Sequence, residues 1–348
     1  MSRTSYEFFV QWHVTERCNL KCRHCYQSGV VPEMSYEEIC RALDEVSTAM
    51  RGWAMDYDMD ISPSLNVTGG EPLLRQDLFD ILDHARHSSF PVSLMSNGTL
   101  VDTDMARRIE EAGVVDVQVS LEGLEPTHDL IRGKGTFDHA LMGIRNLVDA
   151  GVDTDINVTV SRVNVGEADE LVGLAEGLGV SSIGFSRLVP TGRGKSLGEN
   201  ALSRDELRSF YGHLGKYGDM SAVAVTSLDP LCNISKMGSA PPDVHFPIGG
   251  CAAGVFGVTI CSDGTVMPCR RMALPIGNIK ETSFRELWSE SPVLSALRTR
   301  EAYHGGCESC SYWAVCRGCR AVALAFSRAN GDEDYLGPDP QCPHSPQP

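Results

Sequence analysis

Residues 8–26 read FFVQWHVTERCNLKCRHCY. The first part, 8–15, alternates apolar and polar side chains and predicts a strand. Immediately after it come Cys18, Cys22 and Cys25, followed by Tyr26. A strand that ends in a reactive loop is the signature of an α/β sheet whose chemistry sits at the C-terminal strand ends. The chain beyond it extends this pattern. A helix is expected over 35–50, where Ser35 and Glu38 form a capping box. Further strands are expected at 61–68, 91–96, 114–121, 153–160 and 181–188. Helical stretches separate them, one with Thr103 as its N-cap, and the last is opened by Ser203 and Glu206. Six such units predict parallel strands with crossover helices. Six is fewer than the eight that close a barrel, so the expected fold is an α/β partial (β/α)6 barrel. Residues 1–230 form this domain, 231–345 a small cysteine-rich domain, and 346–348 a tail.

Composition narrows the chemistry. The chain has 348 residues, with Lys+Arg 30 against Asp+Glu 46 and a net charge of −16. Such a surface repels phosphate backbones, so no nucleic acid partner is expected. No apolar run reaches the length of a membrane span, and no signal-peptide pattern opens the chain, so a cytoplasmic protein without a membrane partner is expected. Of the 13 cysteines, none lies between 41 and 231. In a reducing compartment this clustering favours metal binding over disulfides.

Loaded residues fall just after each expected strand. They are the cysteine loop, Gly69-Gly70-Glu71-Pro72, Ser96-Asn97-Gly98, Ser120 with Glu122-Gly123, Asn157 with Thr159, and Arg187. Three thiolates on one loop can bind one face of an iron–sulfur cluster and leave one iron open. A zinc site with His24 as the fourth ligand is the alternative.

CNLKCRHCY, GGEP, SNG and VSLEG together resemble the radical S-adenosylmethionine (radical SAM) enzymes over roughly 8–230. The resemblance implies that the open iron of a [4Fe-4S] cluster chelates S-adenosylmethionine, and that reduction yields a 5′-deoxyadenosyl radical that abstracts hydrogen. It further implies cofactor contacts from Gly69, Gly70 and Glu71 to the methionine ammonium, Tyr26 beside the adenine, and Ser96 and Ser120 to methionine and ribose. Arg132 would pair the cofactor carboxylate, and Arg187 belongs to the same set of expected cofactor contacts. Where the family often has Asp, this chain has Glu122.

The later cysteines form a second pattern. Cys251 and Cys269 precede Cys307-x2-Cys310-x5-Cys316-x2-Cys319 and Cys342, and VTICSDGTVMPC (258–269) predicts a hairpin turning at Asp263-Gly264. Read alone, the Cys307–Cys319 run also suits a zinc ribbon. With GNI (277–279) and ELW (286–288), the region resembles the SPASM extension of radical SAM enzymes. CRGCRA and GDEDYLGPDPQCP resemble its pyrroloquinoline quinone and modified-haem branch. The resemblance implies two auxiliary iron–sulfur clusters: a distal one on Cys307, Cys310, Cys316 and Cys342, and a proximal one on Cys251, Cys269 and Cys319. A two-residue turn would set Cys261 opposite Val266, roughly 10 Å along the ladder from Cys269. That favours Cys232 as a fourth proximal ligand and leaves Cys261 as a core residue or a hydrogen-atom donor. Cys40 reads as a small buried hydrophobe.

The expected activity is an oxidoreductase or maturase acting on a ribosomal peptide or cofactor precursor. The alternative is dehydrogenation, epimerisation or side-chain removal on a small molecule of sugar, aminocyclitol or tetrapyrrole type. A third possibility, an iron–sulfur electron carrier, has no use for GGEP. An electron donor such as flavodoxin or ferredoxin is expected as a partner. Candidate acid–base or hydrogen-donor groups are His13, Glu16, His128, Asp229 and Cys261.

Overall fold

The computed structural model describes residues 5–344 apart from 28, 30, 218–220, 238, 240, 242 and 243, so the expected tail lies outside the described residues. The chain runs β1 (Ser5–Thr15), α1 (Tyr36–Asp56), β2 (Asp60–Gly69), α2 (Leu78–His87), β3 (Val92–Ser96), α3 (Thr103–Glu111) and β4 (Asp116–Ser120). It continues through α4 (Glu125–Arg132), α5 (Thr136–Asp149), β5 (Thr154–Val160), α6 (Ala168–Leu178), β6 (Ser182–Arg187) and α7 (Arg204–Leu214). After these come β7 (Ala224–Thr226), α8 (Pro230–Ser235), β8 (Gly257–Ile260), β9 (Thr265–Met267) and β10 (Gly277–Asn278). The last elements are α9 (Phe284–Glu290), α10 (Pro292–Arg298) and α11 (Arg320–Ala329).

All six expected strands form and pair in parallel, in sequence order. Both capping boxes are present, at Ser35 and at Ser203. The helix at 103 is capped instead by Asp102, whose carboxylate accepts from the Met105 N–H. A carboxylate one residue earlier reaches the orphan amides and also suits the helix dipole.

The sheet extends past six strands. Short β7 adds to β6, and β8 pairs in parallel with the free edge of β1, Val10 opposite Val258. The cysteine-rich segment therefore continues the barrel sheet, with β9 and β10 antiparallel beyond β8. The hairpin register differs by one residue from expectation: Ile260, not Cys261, lies opposite Val266. The Cys261 N–H donates to the Thr265 carbonyl and the Gly264 N–H to the Cys261 carbonyl, with Gly264 at φ +90°. A left-handed glycine adds a residue to the turn, as in three-residue hairpin loops.

Parallel strands are ordinarily apolar on both faces. Here one face alone is apolar. Phe8, Val10, Trp12, Val67, Leu94, Val119, Val158 and Phe185 join the helices in one buried core. The opposite face carries Gln11, Met95, Gln118, Asn157 and Ser186, all half-buried. This alternation leaves a polar, partly open concave surface that leads to the strand ends.

Candidate active site

The glycines of GGEP are fixed by backbone contact. A Cβ on Gly69 would lie 2.3 Å from the Thr15 carbonyl oxygen, and one on Gly70 would lie 2.2 Å from that of Arg17. Their absence lets the Gly70 and Glu71 N–H groups donate to those same two carbonyls, at 2.8 Å each. The loop after β2 is thereby stitched to the start of the three-cysteine loop. Glu71 is fully buried, and its carboxylate accepts from the Ser96 hydroxyl (2.8 Å) and the Asn97 N–H (2.9 Å). Ser120 closes β4 on the concave face. Glu71, Ser96 and Ser120 thus share the rim on which Cys18, Cys22 and Cys25 sit.

Two expected cofactor contacts have other partners. Arg132 gives Nε and Nη2 to the Glu122 carboxylate, at 3.0 and 2.6 Å. Arg187 is buried and pairs with Asp229 (2.5 Å), Asp339 (2.8 Å) and Gln341 (2.6 Å). It joins the end of β6 to the C-terminal segment, which leaves it no free fork for a cofactor carboxylate.

The five candidate acid–base or hydrogen-donor groups separate. Asp229 caps α8 and binds Arg187. His128 accepts from the Glu122 N–H through Nδ1. The other three converge. Arg270 donates to Glu16 at 3.0 Å, its guanidinium lies 6.0 Å from the Tyr26 ring centroid, and that ring meets His13 edge-on at 5.9 Å. The Cys261 thiol is buried among the same charges, and its desolvation pushes it up to about 12. Burial, reinforced by Arg270, pushes His13 down to about 3, so its imidazole is neutral. Both His13 nitrogens, Glu16 Oε1 and Arg270 Nε are buried without a hydrogen-bond partner. Each such atom costs about 1–3 kcal/mol unless a ligand or water meets it. Arg270 was not anticipated; its position directly after Cys269 in the hairpin was the available signal.

The later cysteines form two groups. Cys307, Cys310, Cys316 and Cys342 line one cavity, together with Trp313, Arg317 and Asp339. The Gly318 N–H points at Cys316 Sγ, 3.3 Å away. Four thiols and an amide donor around one void suit an iron–sulfur cluster. Cys251, Cys269 and Cys319 gather in a separate apolar cluster with Met272 and Val322. The two-residue spacing after Cys316 makes this division. Arg317 and Gly318 are both left-handed, at φ +61°. The Arg317 guanidinium donates to the Gly249 and Cys251 carbonyls, which holds the unusual non-glycine conformation.

Cys232 is fully buried on α8 in the main core, apart from the Cys251 group. Cys261 is buried within electrostatic reach of Arg270 and Glu16. Cys232 and Cys261 thus both stand outside the group of Cys251, Cys269 and Cys319. The segment that carries Cys232 is a short helix capped by Asp229 and packed inward. Cys232→Ala and Cys261→Ala are each expected to retain wild-type iron content after anaerobic reconstitution. A loss of one cluster's iron in either variant would contradict this placement.

A cysteine-bearing rim on a parallel partial barrel, with cysteine-lined sites beside it, defines an iron–sulfur enzyme. The pattern of the radical SAM superfamily matches residues 12–175, and that of the SPASM iron–sulfur cluster-binding domain matches 251–320. The AdoMet-dependent heme synthase of Methanosarcina barkeri is 33% identical over 97% of this chain and 96% of its own. The mycofactocin maturase MftC of Mycolicibacterium smegmatis is 30% identical over 96% of this chain and 82% of its own. Among solved structures, Streptococcus suis SuiB bound to precursor peptide SuiA superposes with a TM-score of 0.74 at 15% identity, covering 98% of this chain and 77% of that one. The chain belongs to the radical SAM enzymes that carry a SPASM domain. Its cofactors are S-adenosylmethionine, a [4Fe-4S] cluster in the barrel and auxiliary iron–sulfur clusters in the SPASM domain. Among the described residues no helix is long and apolar enough to cross a membrane.

Proposed function

We propose that this enzyme modifies a peptide or a peptide-derived cofactor precursor. When bound, the barrel cluster and S-adenosylmethionine supply a hydrogen-abstracting 5′-deoxyadenosyl radical. In this reading Cys18, Cys22 and Cys25 hold the barrel cluster, while Glu71, Ser96, Ser120 and Tyr26 position the cofactor. Cys307, Cys310, Cys316 and Cys342 hold a distal auxiliary cluster, and Cys251, Cys269 and Cys319 a proximal one. A flavodoxin or ferredoxin supplies the electron.

The observation that carries the substrate class is the unpartnered cluster between the first cysteine loop and the hairpin. Arg270 Nε offers a donor, His13 Nε2 a second polar atom, and His13 Nδ1 and Glu16 Oε1, 3.9 Å apart, flank a gap that a donor–acceptor pair can enter. Arg270 and Glu16 cancel in charge. This pattern fits a neutral amide, which presents an N–H and a C=O together. The heme synthase relative favours a second reading, a tetrapyrrole substrate. Against it, the concave-face positions of β1 to β6 carry no Lys or Arg among the described residues, and Arg270 beside them is already neutralised by Glu16, whereas a polycarboxylate macrocycle calls for unpaired cations.

The test is anaerobic incubation of the holoenzyme with S-adenosylmethionine, a reductant and either peptides encoded beside its gene or iron-coproporphyrin III, with mass spectrometry of both. A changed peptide mass is expected, and consumption of the porphyrin with peptides untouched would overturn the reading. On the responsive substrate, Arg270→Gln removes a charge-assisted contact of about 1.5–3 kcal/mol. KM is therefore expected to rise about 10–100-fold. An unchanged KM would remove Arg270 from the substrate site.

A further inference from the structure

Glu122 lies two residues beyond Ser120, the end of β4, and is fully buried. Its Oε1 accepts both Arg132 bonds and lies 3.2 Å from His24 Nε2. Its Oε2 accepts the Thr159 N–H at 2.7 Å. Burial pushes this carboxyl up, but His24 and Arg132 outweigh it and hold it well below the usual carboxylate range. The carboxylate therefore grips three places at once: Arg132 at the end of α4, His24 inside the first cysteine loop, and the Thr159 amide on β5.

The grip aims the guanidinium. With Nε and Nη2 committed to Glu122, Arg132 Nη1 points at Cys22 Sγ, 3.9 Å away. The backbone is tied at the same place, because the Arg23 N–H donates to the Ile131 carbonyl at 2.8 Å. Arg193 Nε donates to the Cys22 carbonyl at 3.1 Å. The Arg132 side chain is only 10% exposed, so solvent screens its charge weakly.

We infer that Arg132 is a positioning residue that sets the reduction potential of the cluster on the first cysteine loop, with Glu122 as the clamp that aims it. The inference rests on the reading that Cys22 is a ligand of that cluster. A cation beside a ligating thiolate stabilises the electron-richer, reduced state more than the oxidised one, and so raises the potential. Glu122 opposes this, but from the far side of the guanidinium, so the nearer positive charge dominates at the sulfur. The sequence resemblance gave Arg132 to the carboxylate of S-adenosylmethionine. In the structure an internal carboxylate occupies that fork, and the free nitrogen faces sulfur.

The test is a redox titration of the anaerobic holoenzyme followed by electron paramagnetic resonance, with no S-adenosylmethionine present, so that cofactor binding cannot contribute. The barrel cluster is identified separately as the signal that changes when S-adenosylmethionine is added. Arg132→Gln is expected to retain iron and move that midpoint to a more negative value, with Arg132→Lys between it and wild type. Glu122→Gln, which removes the opposing charge, is expected to move it to a more positive value. An unchanged midpoint in Arg132→Gln with the signal retained would overturn the inference. If Arg132→Gln loses the cluster, Arg132→Lys decides: a midpoint more negative than wild type supports the inference and an unchanged midpoint overturns it. Failure of the underlying reading would look different, as a cofactor-sensitive signal that survives Cys22→Ala.

Discussion

Replacing Cys18, Cys22 and Cys25 together with alanine is expected to abolish 5′-deoxyadenosine formation while the auxiliary clusters remain. The argument is positional. The three thiols occupy the loop directly after β1, and that loop is bound to GGEP by the close approach of Gly69 and Gly70 to the backbone of Thr15 and Arg17. The later cysteines form their own groups, around the cavity at Cys307 and in the apolar cluster at Cys319. Iron analysis of the triple variant should show one cluster's iron lost and the remainder kept. Undiminished cofactor cleavage would show that the reactive cluster is elsewhere.

Arg187→Met is expected to be the most destabilising substitution outside the cysteines. The Arg187 side chain is 3% exposed, that of Asp339 0% and that of Asp229 6%, so the pairs are buried. Removing the cation leaves two carboxylates without their partner, and breaking such a buried pair costs about 3–5 kcal/mol. The consequence extends beyond stability. Asp339 also accepts from the Cys319 N–H, and Gln341 precedes Cys342. The same arginine therefore holds the segment that carries a cysteine of the distal cavity. Anaerobic thermal unfolding should show a lower midpoint, and iron content should fall with it. Arg187→Lys should recover part of both, since it keeps the charge and loses the fork. A midpoint and iron content equal to wild type in Arg187→Met would show that the network does not join barrel and extension.

The barrel strands were legible because each pairs a period-two apolar pattern with a following helix. The two capping boxes were legible because S-x-x-E places both partners within four residues. What escaped the sequence is non-local or short. β7 and β8 are three and four residues long, too brief for a pattern to register. The partner of β8 is β1, about 250 residues earlier in the chain, and only the fold brings them together. The hairpin was legible, but its register was not, because the left-handed Gly264 lengthens the turn by one residue. Arg187 was correctly placed at a strand end, yet two of its partners, Asp339 and Gln341, lie about 150 residues further on. Within the candidate site, His13, Glu16 and Cys261 were named separately. Arg270, which bonds Glu16 and lies within electrostatic reach of Cys261, becomes visible only once the fold sets the hairpin against the first cysteine loop.

The most direct test is one assay of the anaerobically reconstituted wild-type chain, given S-adenosylmethionine and dithionite. A brown, iron- and sulfide-bearing protein that releases 5′-deoxyadenosine and methionine in equal amounts is the expected result. A colourless protein that carries stoichiometric zinc and leaves S-adenosylmethionine intact would contradict the account.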